Sequence, residues 1–516
     1  MSRRSLISTL ILSLLVSYGS YAGTVVRVGL PAKPATLDPH MALTRADHIL
    51  ARELFVGLTA LDAEGKVIAG LAENWTISPD RLVYTFALRD NLTWSDGQSL
   101  DATTVVKSIE RALDPATNAP FAAQLLNIKN AEAFRLGILP NGEKLGVVAR
   151  DRRTVEFRLA NPSQRFLQLL AQPVASPVPL HRLKNLKQAW AQAESVIGNG
   201  AFTFVSQAEK FSIAKNPRFY AATSVALDSV EFLILPTGDA AADALKANTI
   251  DLAVGFTPAP HVGRPAIAGL VEGDAVASYH LSINVSHHPF DKREFRHALG
   301  MVIDRADVVK TLRLAGAEPA FSLVPTPPYS PVRSPYARLD RADRNFVAEA
   351  LLLDVDIPSA RPFRFVVPRG AAHQSLAEAI AKYWTALGFK VELLALDEAM
   401  FESAILNGDF DVAVNIAWHQ ANSVDAMLSG YSQSAGPWNL SGYRELEFDQ
   451  LMITADTELD AENYPSHLRQ AEGVLIEDQV SWPMLFYPAN VIARAKLNGL
   501  AANSAQIHPL RYLAPQ

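Results

Sequence analysis

The spacing of apolar residues changes period several times along this chain, and each change marks an element. Residues 363–367, FRFVV, form a short apolar run that predicts a strand. With Ser375 as its opening residue, a helix follows in which Leu376, Ala379, Ile380, Tyr383, Trp384 and Leu387 recur at spacings of three and four, on one face. Gly388 stands where a left-handed C-terminal cap is wanted. FKVELLAL (389–396) predicts a second strand, residues 400–406 a second helix and FDVAVNIAW (410–418) a third strand. This alternation predicts a doubly wound α/β unit with parallel strands.

Part of that pattern occurs twice. ALKANTIDLAV (244–254) ends a helix, turns at polar residues, sets Asp251 before a strand and runs on in apolar residues. AILNGDFDVAV (404–414) repeats this with Asp411. One supersecondary unit used in two lobes is the expectation, with both aspartates as turn residues. Residues 66–160 read differently. LVYTFAL (82–88) and TVEFRLA (154–160) predict strands, and DATTVVKSIERALDP (101–115) a helix with Val105, Ile109, Ala112 and Leu113 on one side. This is an α+β insertion. The proline-rich residues 325–335 predict a surface loop.

Composition narrows the function classes. The chain has 516 residues, 49 % hydrophobic and 19 % charged, with a formal net charge of −6 and no basic block to follow a nucleic-acid backbone. Arg3 and Arg4, the apolar residues 6–16 and the small-residue end at Ala22 predict an export signal removed after Ala22, by the ordinary secretory route. The absence of cysteine excludes disulfides, thiol nucleophiles and a lipoprotein anchor, which leaves an exported chain in a periplasm as the expectation. No phosphate-binding loop, HExxH helix or GxSxG elbow is present, and GNGAFT (198–203) lacks the third glycine of a dinucleotide fingerprint. The twelve histidines show no metal-ligand spacing. No motif here compels an enzyme, a metal site or a cofactor, and none supports an exported hydrolase, which stays open as a rival reading. Trp94 and the Asp96-Gly97 turn read as packing and turn residues, and Asp304 as a helix cap.

Residues 54–115, from LFVGLTALDAEG to ERALDP, resemble the opening of oligopeptide-binding proteins that serve ABC importers. The resemblance continues in order through SPVPLHRL (176–183), NGAFTF (199–204), KNPRFY (215–220), NVSHHPFDKREFRHALGMVIDR (284–305) and YRELEFDQLM (443–452). It implies an α/β, two-lobed periplasmic-binding fold of the class II type with an extra α+β domain. The first lobe would take residues 23–55, 180–276 and 489–516, the extra domain 56–179 and the second lobe 277–488. The implied function is capture of peptide or modified peptide by a monomer whose lobes close over it, with delivery to an inner-membrane ABC permease. The place where such proteins hold an acid for the peptide ammonium falls on Gln420 or Ala421. Arginine positions fall on Ile405 and Val414, and a carboxylate position on Leu43. The same resemblance makes Thr44, Arg45, Phe121, His280, Trp418, Gln420 and Asn422 the candidate ligand contacts. Arg45 is expected to meet an anionic group and Phe121 to form an apolar wall. Trp418 would cover the ligand, and Gln420 and Asn422 would hydrogen-bond it. Asp425 is expected to be a helix N-cap rather than a replacement acid. The missing acid raises a second reading, a non-peptide solute such as an opine, a sugar conjugate or a metal chelate.

Overall fold

Three larger sheets organise the chain. The computed structural model describes residues 24–192, 195–207, 210–257, 270–312, 316–325, 329–357, 362–419, 424–460, 462–493, 497–501 and 507–515. The first sheet sets Val25–Leu30 parallel to both Ser229–Ile234 and Leu252–Ala253, with the antiparallel pair Phe202–Gln207 and Lys210–Lys215 at its other edge. The second has six strands in the order Glu318–Pro319, Ser481–Ile492, Leu270–Ile283, Val412–His419, Phe363–Pro368 and Val391–Leu396. Its last three are parallel, as the alternating pattern predicts, and the rest are antiparallel. Only part of the sheet is therefore doubly wound.

The third sheet is the insertion. Ala72–Ile77, Val83–Leu88, Thr154–Arg158 and Val147–Ala149 form an antiparallel sheet. Helix Ala102–Leu113 packs on it with Val105, Ile109, Ala112 and Leu113 buried. The Asp101 carboxylate accepts the Thr104 N–H and caps the helix start. Trp94 is buried as a packing residue.

The repeated αβ turn does the same work in both lobes. The Asp251 carboxylate accepts the Arg27 N–H at 2.9 Å, and the Asp251 N–H donates to the Arg27 carbonyl at 2.7 Å. The Asp411 carboxylate accepts the Arg364 N–H at 2.7 Å, and the Asp411 N–H donates to the Arg364 carbonyl at 3.1 Å. Each aspartate clamps the neighbouring parallel strand beside its own. Asp304 accepts the Asp307 N–H and so caps helix Arg305–Leu312.

Two helix starts differ from expectation. The helix placed at Ser375 begins at Ala371, because the Ala371 N–H is capped by the Asp239 carboxylate from helix Gly238–Lys246, far away in sequence. Asp425 lies inside helix Val424–Ser429 rather than at its cap, and its carboxylate bonds the Tyr464 hydroxyl.

Strands Leu270–Ile283 and Ser481–Ile492 run together from the first sheet towards the second. They pair from Leu270 opposite Ile492 to Ser282 opposite Ser481, with the register shifting between Glu272 and Val276 and again between Tyr279 and His280. The bridge between Leu252 and Ala493 ties one end of this ribbon to the first sheet.

Candidate functional site

The two lobes and the insertion meet along a seam built around the start of helix Arg45–Leu54. Thr44 is its N-cap. Its hydroxyl accepts the Asp47 N–H, and the Asp47 carboxylate returns to the Thr44 N–H at 2.9 Å in a capping box. Asp47 also accepts the N–H groups of Leu43, Ala35 and Thr36. The segment before the helix is thus fixed by one carboxylate, and the Thr44 hydroxyl is committed to the cap.

Arg45 faces helix Glu398–Asn407 of the second lobe. Its N–H donates to Glu402 at 2.8 Å. Its guanidinium donates to the Thr257 hydroxyl at 2.8 Å and lies 3.8 Å from Glu398 and 3.9 Å from Glu402. The Thr257 N–H and hydroxyl both donate to Glu398, and the Glu398 N–H donates to the Pro236 carbonyl. Glu398 is 3 % exposed. Burial pushes its carboxyl up to about 7 against the pull of Arg45, and burial likewise raises Glu402. The arginine expected to meet a ligand anion is therefore already engaged with protein carboxylates.

A second contact is aromatic. Trp438, in the second lobe, donates its indole N–H to the Leu43 carbonyl at 3.2 Å. Its ring lies 5.0 Å from His48 and 5.5 Å from Phe121, while His48 and Phe121 lie edge to face at 5.4 Å. The Phe121 ring is thus packed against two protein rings, one from its own side of the seam and one from the second lobe. Gly436, two residues before Trp438, has φ 59° and ψ −130° and approaches the Pro120 carbonyl, so a side chain there would be strained. His48 is 8 % exposed, and neither ring nitrogen has a hydrogen-bond partner among the described residues. Burial, aided by Arg52, lowers it to about 3. A third contact joins the insertion to the second lobe: Ser163 and Arg165 both bind the Asp456 carboxylate.

The remaining candidates lie elsewhere. His280 is buried in strand Leu270–Ile283, opposite Asn415 and Pro483. Trp418 is in strand Val412–His419, opposite Ala277. Gln420, Ala421 and Asn422 lie outside the described residues. Ile405 and Val414 are buried and apolar. No group of three or more His, Asp or Glu among the described residues could hold a metal ion. Trp438, Glu398 and Glu402 were not expected at the site. The glutamates carried a signal, since their i, i+4 spacing puts both on one helical face.

Residues 66–439 match the family of bacterial extracellular solute-binding proteins, family 5. The chain belongs to this family. Curated relatives of this family 5 protein include the probable deoxycholate-binding periplasmic protein YgiS of Escherichia coli, 28 % identical over 93 % of this chain and 91 % of that one. The periplasmic oligopeptide-binding protein OppA of Salmonella typhimurium is 28 % identical over 94 % and 93 %. Among solved structures, Haemophilus influenzae OppA in complex with RPPGFSPFR gives a TM-score of 0.83 at 25 % identity, covering 96 % of this chain and 99 % of that one. The murein tripeptide-binding protein MppA of E. coli gives 0.83 at 26 % identity and the same coverage. Against MppA in its unliganded open form, at 27 % identity and the same coverage, the score falls to 0.63. The fold is the two-lobed α/β fold of these binding proteins. The lower score against the open form and the contacts across the seam both describe closed lobes.

Trp438→Ala removes an indole that bridges the second lobe to Leu43, His48 and Phe121. The expected result is several-fold weaker ligand retention, equivalent to about 1 kcal/mol or more, with melting of the lobes unchanged. Isothermal titration of variant and parent with the co-purifying ligand checks it.

Proposed function

We propose that this protein is the periplasmic binding component of an ABC importer, capturing peptide or modified peptide between its lobes and delivering it to the permease without catalysis. The observation that carries this reading is the closed seam. Side chains from both lobes and the insertion meet only when the lobes close, so a ligand held between them shifts the population towards closure. Family membership and the peptide-binding names of OppA and MppA support the ligand class. Export with cleavage after Ala22 and absence of a lipid anchor belong to the same proposal. So does the division into 23–55, 180–276 and 489–516, the insertion 56–179, and 277–488, which the strand membership of the three sheets supports.

Within the site, we assign Phe121 to the apolar wall, and Trp418, Gln420, Asn422 and His280 to the ligand from the second lobe. Thr44 and Arg45 contribute through the shape of their segment and through closure. With Gln420 or Ala421 where an acid is expected, a buried free ammonium would lack its partner, a loss of about 2–5 kcal/mol. Native mass spectrometry of the purified protein, followed by denaturing release, tests both levels. Peptides with a modified or blocked amino end are expected. Recovery of only free-ended di- to pentapeptides would overturn the missing-acid argument and leave peptide capture standing. Recovery of only a non-peptide solute would overturn peptide capture.

A further inference from the structure

We propose that Arg45, Glu398 and Glu402 form a proton-sensitive latch, so that closing the lobes takes up a proton at the glutamate pair. The proposal rests on lobe closure but not on the identity of the ligand.

The argument begins with charge. One guanidinium from the first lobe sits between two carboxylates from the second. Glu398 is buried in the closed form and the Glu402 side chain is only 12 % exposed, and Pro236, Thr257 and Arg45, all outside the second lobe, are the groups packed on Glu398. A single guanidinium neutralises one carboxylate. The other would remain as a buried unpaired charge, which is costly, and protonation removes it. When the lobes part, both glutamates stand in the first and second turns of an open helix end and return to water, where each is ionised at neutral pH. Closure therefore consumes a proton. The rise of Glu398 to about 7 on burial is consistent with this count.

Other charges face the cluster. Asp47 lies on the Arg45 helix and raises Glu402. Asp239 approaches from helix Gly238–Lys246, and Arg369 pairs with Asp397 at 2.8 Å beside Glu398. His373, from helix Ala371–Ala386, is bonded to the Thr257 backbone and held at about 4 by burial, near the Tyr279 hydroxyl. His48, buried beneath Trp438, works in the opposite direction, because a histidine lowered by burial gives up on closing the proton it holds in water below its ordinary value. The latch is therefore read by comparison with a variant that keeps these histidines.

The sign follows from linkage. A carboxyl raised from its ordinary value in the closed form favours closure below about 7, and this preference fades as pH rises through that value. Between pH 8 and pH 6 one such group changes the closed-to-open ratio about tenfold.

The chain has no cysteine, so Asp243→Cys and Leu353→Cys place one dye on each lobe at exposed positions. Single-molecule energy transfer on ligand-stripped protein then counts closed and open molecules at pH 8, 7 and 6. The expected result is a pH response about tenfold larger in the parent than in Glu398→Gln, in which Arg45 and Glu402 balance. Glu402→Gln is the second test should the first fold poorly, and Arg45→Met is expected to steepen the response. An equal pH response in the parent and in both glutamine variants overturns the latch. No ligand enters the measurement, so failure of the peptide reading leaves its outcome intact.

Discussion

Replacing Arg305 by alanine is expected to cost about 3–5 kcal/mol of stability and to shift the unfolding of the second lobe alone. Arg305 is fully buried. Its guanidinium donates to the carbonyls of Pro483 at 2.6 Å, Gly300 at 3.1 Å and Ile303 at 3.2 Å, and to the Tyr336 hydroxyl at 3.0 Å. The Tyr336 hydroxyl in turn donates to Gln479. The guanidinium also lies 5.2 Å from each of the Phe321 and Tyr336 rings. One side chain thus ties a helix end, a central strand and the segment that follows the proline-rich loop. Truncation leaves several carbonyls without a donor and opens a cavity among rings. Lysine does not replace the fork geometry, so Arg305→Lys is expected to recover only part of the loss. Denaturant melts followed by the second lobe's tryptophans read the effect. The exposed Arg341, changed to alanine, serves as control and should stay within about 0.5 kcal/mol of the parent. An Arg305→Ala protein as stable as that control would show that the buried network carries no net stability.

The second large effect is hidden in a flat pH profile. Burial raises the carboxyls of Glu53, Glu398 and Glu472 to about 7. Each favours the folded state most at low pH, and this contribution fades as pH rises from the ordinary carboxylate value through about 7. Burial lowers His40, His373 and His508 to about 4 and His48 to about 3. These oppose the glutamates, since their contribution is present above the ordinary histidine value and is lost as pH falls towards about 4. Between pH 5.5 and 8 the two sets nearly cancel. Below about 4.5 the glutamates are protonated in both states, and stability falls. Glu53→Gln combined with Glu472→Gln unmasks the histidines. The amide oxygens introduced by these two substitutions would still accept the N–H groups of Leu510 and Leu323. Relative to the parent, this variant is expected to lose about 4 kcal/mol between pH 8 and 5.5. Chemical denaturation at the two pH values measures it, and parallel profiles for parent and variant would refute the assignment.

Local pattern carried the αβ units well, because their signals lie within a few residues. The face of helix Ala102–Leu113, the left-handed Gly388 and the two strand-leading aspartates all follow from spacing. The misplaced start at Ala371 has a non-local cause, since its cap comes from Asp239 across the lobe boundary. The site was harder to read for the same reason. Thr44-x-x-Asp47 is legible as a capping box, a local signal that fixes the start of the helix but not what faces it. The partners of Arg45 are more than two hundred residues away in sequence, and only the closed fold brings them together. Trp438 follows a Gly-Pro turn that marks a bend but not its opposite wall.

The paired strands Leu270–Ile283 and Ser481–Ile492 also constrain the motion itself. Two strands bonded along their length resist shearing past one another, and the ladder is interrupted between Glu272 and Val276 and between Tyr279 and His280. A lobe carried on such a band is expected to bend where the ladder is interrupted rather than to slide along it. The opening stroke expected from it is a swing rather than a slide. Every cross-seam contact is released along the same arc, with those farthest from the pivot travelling the greatest distance.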